Sequence, residues 1–358
     1  MKFLSLKVED FRNFKFIDLE FEGLHQFFLG RNGQGKTNLL EALNFVSALR
    51  SFRTSDRREL VAIGRNRAQI RYVLDYEGKG LIEIACSLQP GASDIKVDGD
   101  PVLRLSEHLG RFPSVVISSD DIQLIRGAPA GRRRFLDLTL SSTDPVYFNC
   151  LRQYHRALRE RNHLLREGED DGLLRSFEKI LTSCGIQVIQ KRRSAVRSLN
   201  DEVIDFYSKL TDGGIEPRLE YSTEVWGDSE SDFATLMRER KRRDQEIRAT
   251  SVGPHRDDLI FQLGGREVQA FASEGEQRGL AIAIRLAQCK WWFECSGIKP
   301  VVLADDVLGE LDPLCRARFW EALSPELQVF ASGTSPPPSE LGCNWNIFSI
   351  DNGRLSVS

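Results

Sequence analysis

The sequence predicts an α/β fold: a head built on a mixed sheet, with a helical arm lobe inserted into it. Three observations predict it. The short apolar run His25-Gln26-Phe27-Phe28-Leu29 leads into a glycine-rich segment, residues 30–37 (GRNGQGKT), and Asn38-Leu39-Leu40-Glu41-Ala42-Leu43 follows with the helical spacing 39, 40, 43. Far downstream, Val301-Val302-Leu303-Ala304 ends in Asp305-Asp306, the pattern of a buried parallel strand with carboxylates at its C-terminal end. Between these segments, apolar residues from Pro145 to Leu210 recur at steps of three and four.

The elements follow in order. Ile17, Leu19 and Phe21 alternate with Asp18 and Glu20, and residues 70–74 and 81–85 give two more strands joined by a hairpin turn at 77–80. A first arm helix carries Leu151, Tyr154, Leu158 and Leu165, and a second carries the stripe from Leu174 to Leu210. The acidic turn at 168–172 joins them into a helical hairpin. A strand at 218–225, a charged helix around 230–250 and a strand at 257–263 complete the middle of the chain. The expected division is 1–143 for the N-terminal part of the head, 144–212 for the arm, and 213–358 for its C-terminal part.

Bulk properties exclude several classes. A chain of 358 residues exceeds what one core usually holds, which favours two lobes. With 41% apolar and 28% charged residues it reads as soluble and globular. It lacks both an apolar run of ~18 residues and a signal-peptide core, so a cytoplasmic protein without membrane contact is expected. Seven cysteines without a C-x-x-C pair, and five histidines without metal spacing, read as ordinary residues of a reducing compartment. Net charge is −3, yet residues 150–200 hold eleven Lys/Arg against six Asp/Glu, and Arg132-Arg133-Arg134 and residues 238–243 (RERKRR) add basic clusters. Such runs are usually solvated faces but also suit phosphate backbones.

The residues at 30–37 match G-x-x-x-x-G-K-[ST], the loop that cradles the phosphates of ATP. Gly30, Gly33 and Gly35 let backbone N–H groups close around phosphate oxygens; Arg31, Asn32 and Gln34 complete the loop. Lys36 reaches the β- and γ-phosphates, and the Thr37 hydroxyl holds Mg²⁺ at a helix N-terminus that favours anions. Asp305 is the expected second partner of that Mg²⁺, and Asp306 the group that polarises the attacking water. Upstream, Ser273 and Glu276 have the spacing of a capping box at the start of an apolar helix.

Ser273-x-Gly275-Glu276-Gln277, followed by Asp305-Asp306 and by Gly309-Glu310-Leu311-Asp312, resembles the signature, acidic strand and D-loop of ABC-type ATPases. Residues 10–13 (DFRN), 30–43, 51–54 (SFRT), 127–137 (GAPAGRRRFLD) and 253–258 (GPHRDD) make the chain similar to the RecF family of bacterial recombination-repair proteins, related to the heads of SMC proteins. The resemblance implies an ABC-ATPase head of the SMC-like kind and a head-to-head homodimer. ATP on one subunit would meet Ser273, Gly275 and Glu276 of the other; Arg12 and Asp312 would add contacts. It further implies ATP-dependent binding at duplex–single-strand junctions of DNA, and cooperation with RecR and RecO in loading RecA. Two departures stand out. Residues 329–334 carry no switch histidine, leaving Ser332 or Thr334 in its region, and Gln123 is only near the position of a Q-loop glutamine. With Asp306 replacing the usual glutamate, slow hydrolysis is expected. A transporter's nucleotide-binding subunit and an ATP-binding clamp without turnover are the competing readings.

Overall fold

A computed structural model describes all residues except 55, 77, 90–91, 169–170, 212, 308–310, 338–343 and 358. In chain order come β1 (Lys2–Phe11), β2 (Phe14–Glu20), β3 (His25–Leu29), α1 (Lys36–Ala48), β4 (Ala68–Tyr76), β5 (Gly80–Leu88), β6 (Ser93–Val97), β7 (Asp100–Pro101), α2 (Leu105–His108) and β8 (Ser114–Ser118). Next are α3 (Ile122–Arg126), α4 (Pro129–Thr143), α5 (Pro145–Glu167), α6 (Asp171–Leu210), β9 (Pro217–Ser222), α7 (Glu230–Ile247), β10 (Asp258–Leu263), β11 (Arg266–Glu267) and α8 (Val268–Phe271). The chain closes with α9 (Glu274–Ser296), β12 (Val301–Asp305), α10 (Pro313–Ala322), β13 (Val329–Gly333), β14 (Trp345–Asp351) and β15 (Arg354–Val357).

The first compact unit comprises Met1–Asp121, Phe206–Asp212 and Ala281–Ser358. It holds an antiparallel sheet, β2-β1-β4-β5-β6-β7, and a mixed sheet, β15-β14-β3-β13-β12-β8, in which only β15 runs antiparallel to its neighbour. Helix α1 packs on β8, β12 and β13 of one sheet and β1 of the other. At thirteen residues it is marginal alone, and it has neither a side-chain N-cap nor an acid in its first turn. Burial holds it instead: Leu39, Leu40, Leu43, Phe45 and Val46 are fully enclosed, each contributing about 1.5–3 kcal/mol. Its N-terminus is thus free to serve the preceding loop.

The second unit comprises Ile122–Asp205 and Gly213–Leu280: helices α3–α8, most of α6, and the sheet β11-β10-β9. Two buried arginines tie it together. Arg161 of α5 donates to Asp244 (2.8 Å), Thr250 (2.8 Å) and Glu178 (2.9 Å), while Arg192 of α6 donates to Asp137 (2.7 Å) and the Pro254 carbonyl (2.7 Å). The chain passes between units at 121/122, 205/206, 212/213 and 280/281, so the expected boundary at 143/144 is displaced and the one at 212/213 separates the units in the opposite sense. Residues 122–143 and 213–280 join the arm, because α4 packs on both α5 and β10.

Both arm helices, the parallel strand ending at Asp305 and the strands near 16–21, 70–74 and 81–85 form as their periodicities predict. The strand expected at 218–225 stops at Ser222, beyond which the Thr223 hydroxyl accepts from the Val225 N–H (3.1 Å). In the expected hairpin turn, Gly78 and Gly80 take positive φ while residue 77 lies outside the described residues. So do 169–170 of the acidic turn and Gly309-Glu310 of the D-loop-like segment. Strand β1 escaped the periodicity reading, since its alternation of buried residues breaks where the register shifts between Phe3 and Ser5; near its end Asp10 and Arg12 adopt left-handed φ of 50° and 52°. Among the described residues no helix is long and apolar enough to cross a membrane.

Candidate nucleotide-binding site

The glycine-rich loop joins the end of β3 to α1 at the C-terminal edge of the parallel strands, where ligands of open α/β sheets sit. The Gly30 N–H donates to the Gly333 carbonyl at the end of β13 (3.2 Å), fixing the start of the loop. Gly35, the N-cap of α1, has φ of 114°, and a Cβ there would meet Asn13 Nδ2 at 2.6 Å and Phe14 at 2.9 Å. Only glycine lets the loop press against the β1–β2 turn. Asn13 completes that contact by donating to the Gln34 carbonyl (3.1 Å) and accepting from Asn38 Nδ2 (2.8 Å). Arg31, Asn32 and Gly33 stay exposed at the tip.

Lys36 is 5% exposed, and its ammonium donates only to oxygens of neutral groups: the carbonyls of Gly30 (2.7 Å) and Arg31 (3.2 Å) and the Asn32 side chain (3.4 Å). Among the described residues it has no carboxylate partner. A buried cation without a counter-charge, beside an uncapped helix N-terminus, is built for an anion. That observation fits a polyphosphate.

Asp305, 8% exposed, accepts through Oδ1 from the Thr37 hydroxyl (3.0 Å) and from Ser332 (2.8 Å). Burial pushes its carboxyl above the usual range, with the two hydrogen bonds and Arg53 pulling the other way. Ser332, fully buried on β13, also accepts from the Asp306 N–H (3.0 Å), which holds Asp306 at a left-handed φ of 53°. Thr334 is exposed. One hydroxyl and one carboxylate suit Mg²⁺, which takes hard oxygens and completes its shell with water and phosphate. Among the described residues no group of three acidic, His or Cys side chains forms a closed metal cage.

Arg12 faces α1 rather than the loop. Its Nε and Nη2 each donate to Glu41 at 2.7 Å, and this pairing raises its already high pKa. Glu41 is fully buried and also accepts from the Ser51 hydroxyl, whose oxygen in turn accepts the N–H groups of Arg53 and Thr54 (both 2.9 Å). Sequence reasoning quoted residues 10–13 and 51–54 as motifs but missed Glu41 as their shared anchor. A charged residue amid the buried positions of a helix was the available signal.

The signature segment belongs to the second unit. Ser273 and Glu276 form the expected capping box: the Ser273 N–H and hydroxyl reach Glu276 at 2.7 Å, and the Glu276 N–H returns to Ser273 (3.3 Å). These bonds keep the Glu276 carboxyl below its usual range. Gly275 has open space where a Cβ would project. Buried Gln277 accepts from Arg126 (2.5 Å) and donates to the Ala272 carbonyl (3.0 Å), pinning the turn to α3. Asp312 caps α10, accepting the N–H groups of Leu314 and Cys315 (both 3.0 Å). Gln123 is exposed on α3.

Comparison with known proteins bears on this geometry. The model of the RecF/RecN/SMC N-terminal domain matches residues 3–333. The DNA replication and repair protein RecF of Symbiobacterium thermophilum is 34% identical over 340 residues, covering 92% of this chain and 90% of its own length. That of Geobacter sulfurreducens is also 34% identical, covering 92% of each. The chain belongs to the RecF family. A solved structure of the recombination mediator RecF with ATP superposes with a TM-score of 0.92 at 28% identity, over 100% of this chain and 97% of the other. An SMC head bound to the C-terminal winged-helix domain of ScpA, at 16% identity and a TM-score of 0.60, shares the fold alone. RecF membership and this SMC-like fold leave the transporter-subunit alternative without support.

Proposed function

We propose that this RecF-family chain is an ATP-switched DNA-binding protein of recombinational repair and replication-fork maintenance. In this reading ATP sits on residues 30–37 with its phosphates at Lys36, and Thr37 and Asp305 hold Mg²⁺. When bound, Mg²⁺ neutralises phosphate charge. The chain's own residues do the rest. The N–H groups of the loop orient the phosphates, Asp306 accepts a proton from water, and Ser332 fixes both acids. Ser273, Gly275 and Glu276 of a second copy close the site, with Asp312 as a further contact. The product is a cytoplasmic homodimer on gapped or junction DNA that works with RecR and RecO to load RecA. Hydrolysis is slow, because Ser332 replaces a histidine and Asp306 is shorter than glutamate. The observation that carries the reading is the Thr37–Asp305–Ser332 chain beside an unpaired, buried Lys36.

Sedimentation with ATP, with and without gapped DNA, tests it. ATP should shift the chain from monomer to dimer, and Ser273→Arg should block that shift. Lys36→Arg should keep some binding while losing turnover. Sedimentation indifferent to ATP would sink the composite site.

A further inference from the structure

We infer that one exposed face of α5, carrying Arg152, Arg156, Arg159 and Arg166, is the contact row for the sugar-phosphate backbone of a nucleic acid. The inference rests on the DNA-binding reading above and supplies the residues for it. At ~100° per residue these four arginines, with exposed His163 among them, fall within an arc of about 80° along about 21 Å of helix. Arg161 lies on the opposite side, where it is buried and fully paired. The sequence therefore divides the arginines of one helix between two jobs. One ties the unit together, and four face solvent.

None of the four makes an ion pair or hydrogen bond to a described residue. Glu160 and Glu167, on one margin of the row, pair with none of them. The other exposed basic run of this unit behaves differently. On α7, Arg240 pairs with Glu224 (3.1 Å), Arg242 with Glu246 (3.4 Å), and Arg238 donates to Thr235 (2.9 Å). Like charges at i and i+4, as at Arg152 and Arg156, work against a helix. Exposed Glu160 stands four residues after Arg156, yet no ion pair closes between them, and none relieves the repulsion within the row.

The row favours nucleic acid over a protein partner. Every exposed residue of α5 from Arg152 to Glu167 is polar or charged, so a protein would find no apolar anchor to bury. A line of planar guanidinium forks along one helix face suits a polymer with one anionic oxygen pair per repeat.

The test uses the full-length protein with ATP and a gapped duplex, its affinity followed by anisotropy across a salt series. Arg156→Gln/Arg159→Gln should weaken binding about tenfold at low salt and flatten the log K against log [salt] slope by about 1.8, irrespective of DNA sequence. Removing all four should roughly double that slope change, with a melting temperature no lower than wild type and unchanged ATP-dependent sedimentation. Arg238→Gln/Arg242→Gln should leave the slope as it is. Wild-type binding whose slope survives the double and quadruple variants would overturn the row while leaving the DNA-binding reading intact. Failure of the wild type to bind DNA with ATP would remove both. An equal loss of affinity for poly-glutamate would assign the row to acidic protein and overturn the choice of nucleic acid.

Discussion

Replacing Glu41 by alanine removes a buried carboxylate that holds two segments, residues 10–13 and 51–54, against α1. It accepts from Arg12 Nε and Nη2 at 2.7 Å each and from the Ser51 hydroxyl, and Arg53 Nη1 lies 3.9 Å away. Arg12 is only 15% exposed at its side chain, so the change leaves its guanidinium with little water and only the longer contact to exposed Glu59 (3.6 Å). Breaking such a pair costs about 3–5 kcal/mol, and the freed Ser51 donor adds to that. Against a total stability of ~5–15 kcal/mol the loss is large. At roughly 2–4 °C per kcal/mol it lowers the melting temperature by about 10 °C. Urea unfolding of Glu41→Ala, Arg12→Ala and the double variant closes a cycle. The double should be more stable than Glu41→Ala, because it no longer buries a guanidinium left with only its 3.6 Å contact to Glu59, with a coupling energy of about 2 kcal/mol or more. A Glu41→Ala variant within 0.5 kcal/mol of wild type, or additive single effects, would refute the anchor.

Three further outcomes are expected. Asp305→Asn should stabilise the nucleotide-free chain while abolishing its Mg²⁺-dependent thermal shift with ATP. Burial raises the Asp305 pKa in the folded state, so its contribution is best at low pH and declines as pH rises from the ordinary value of 3.8 through the raised one. The two proteins should therefore melt alike near pH 3 and diverge above it, and a gap independent of pH would count against this cause. Gly35→Ala should preserve circular dichroism but lose ATP binding by calorimetry, since it combines strain at φ 114° with a 2.6 Å clash at Asn13; unaltered affinity would contradict the geometry. His255 donates from Nε2 to the Thr250 carbonyl (3.0 Å), so its Nδ1 accepts from Tyr154 (2.6 Å), and burial lowers its pKa from 6.5 to about 4. Stability from this neutral ring is full above pH 6.5 and is lost as pH falls towards 4, at most about 3 kcal/mol by linkage. His255→Gln should flatten the acid limb of a stability–pH curve; an unchanged limb would rule the ring out as its source.

What was legible in the sequence is what local spacing encodes. The loop at 30–37, the capping box from Ser273 to Glu276 and the acids ending β12 each fit within a few residues, and each formed as read. Contacts that join distant segments left no local trace. Glu41 meets Arg12 across 29 positions, Arg126 meets Gln277 across 151, and Asp305 meets Thr37 across 268. The last of these was legible only because two motifs of known chemistry imply each other. Arginine content was the least informative signal. Arg132 is locked to Asp258 by two bonds of 2.8 Å, and Arg133 donates to the Asp257 carbonyl (2.8 Å), whereas neighbouring Arg134 is exposed. Charge counting treats all three alike, and burial separates them.

Ser332 shows why the region of the missing histidine still matters. A serine hydroxyl has one proton to give, and here it goes to Asp305 while the oxygen accepts the Asp306 N–H. A phosphate oxygen can recruit that proton only by taking it from Asp305. The exchange would strip a neutral donor from a carboxylate whose burial already disfavours its charge, just where a cation would restore it. Under the proposed function, phosphate recognition and cation binding would be one linked event at this side chain. Exposed Thr334 has no such link to the acids. Such a linkage would suit the slow switch proposed above.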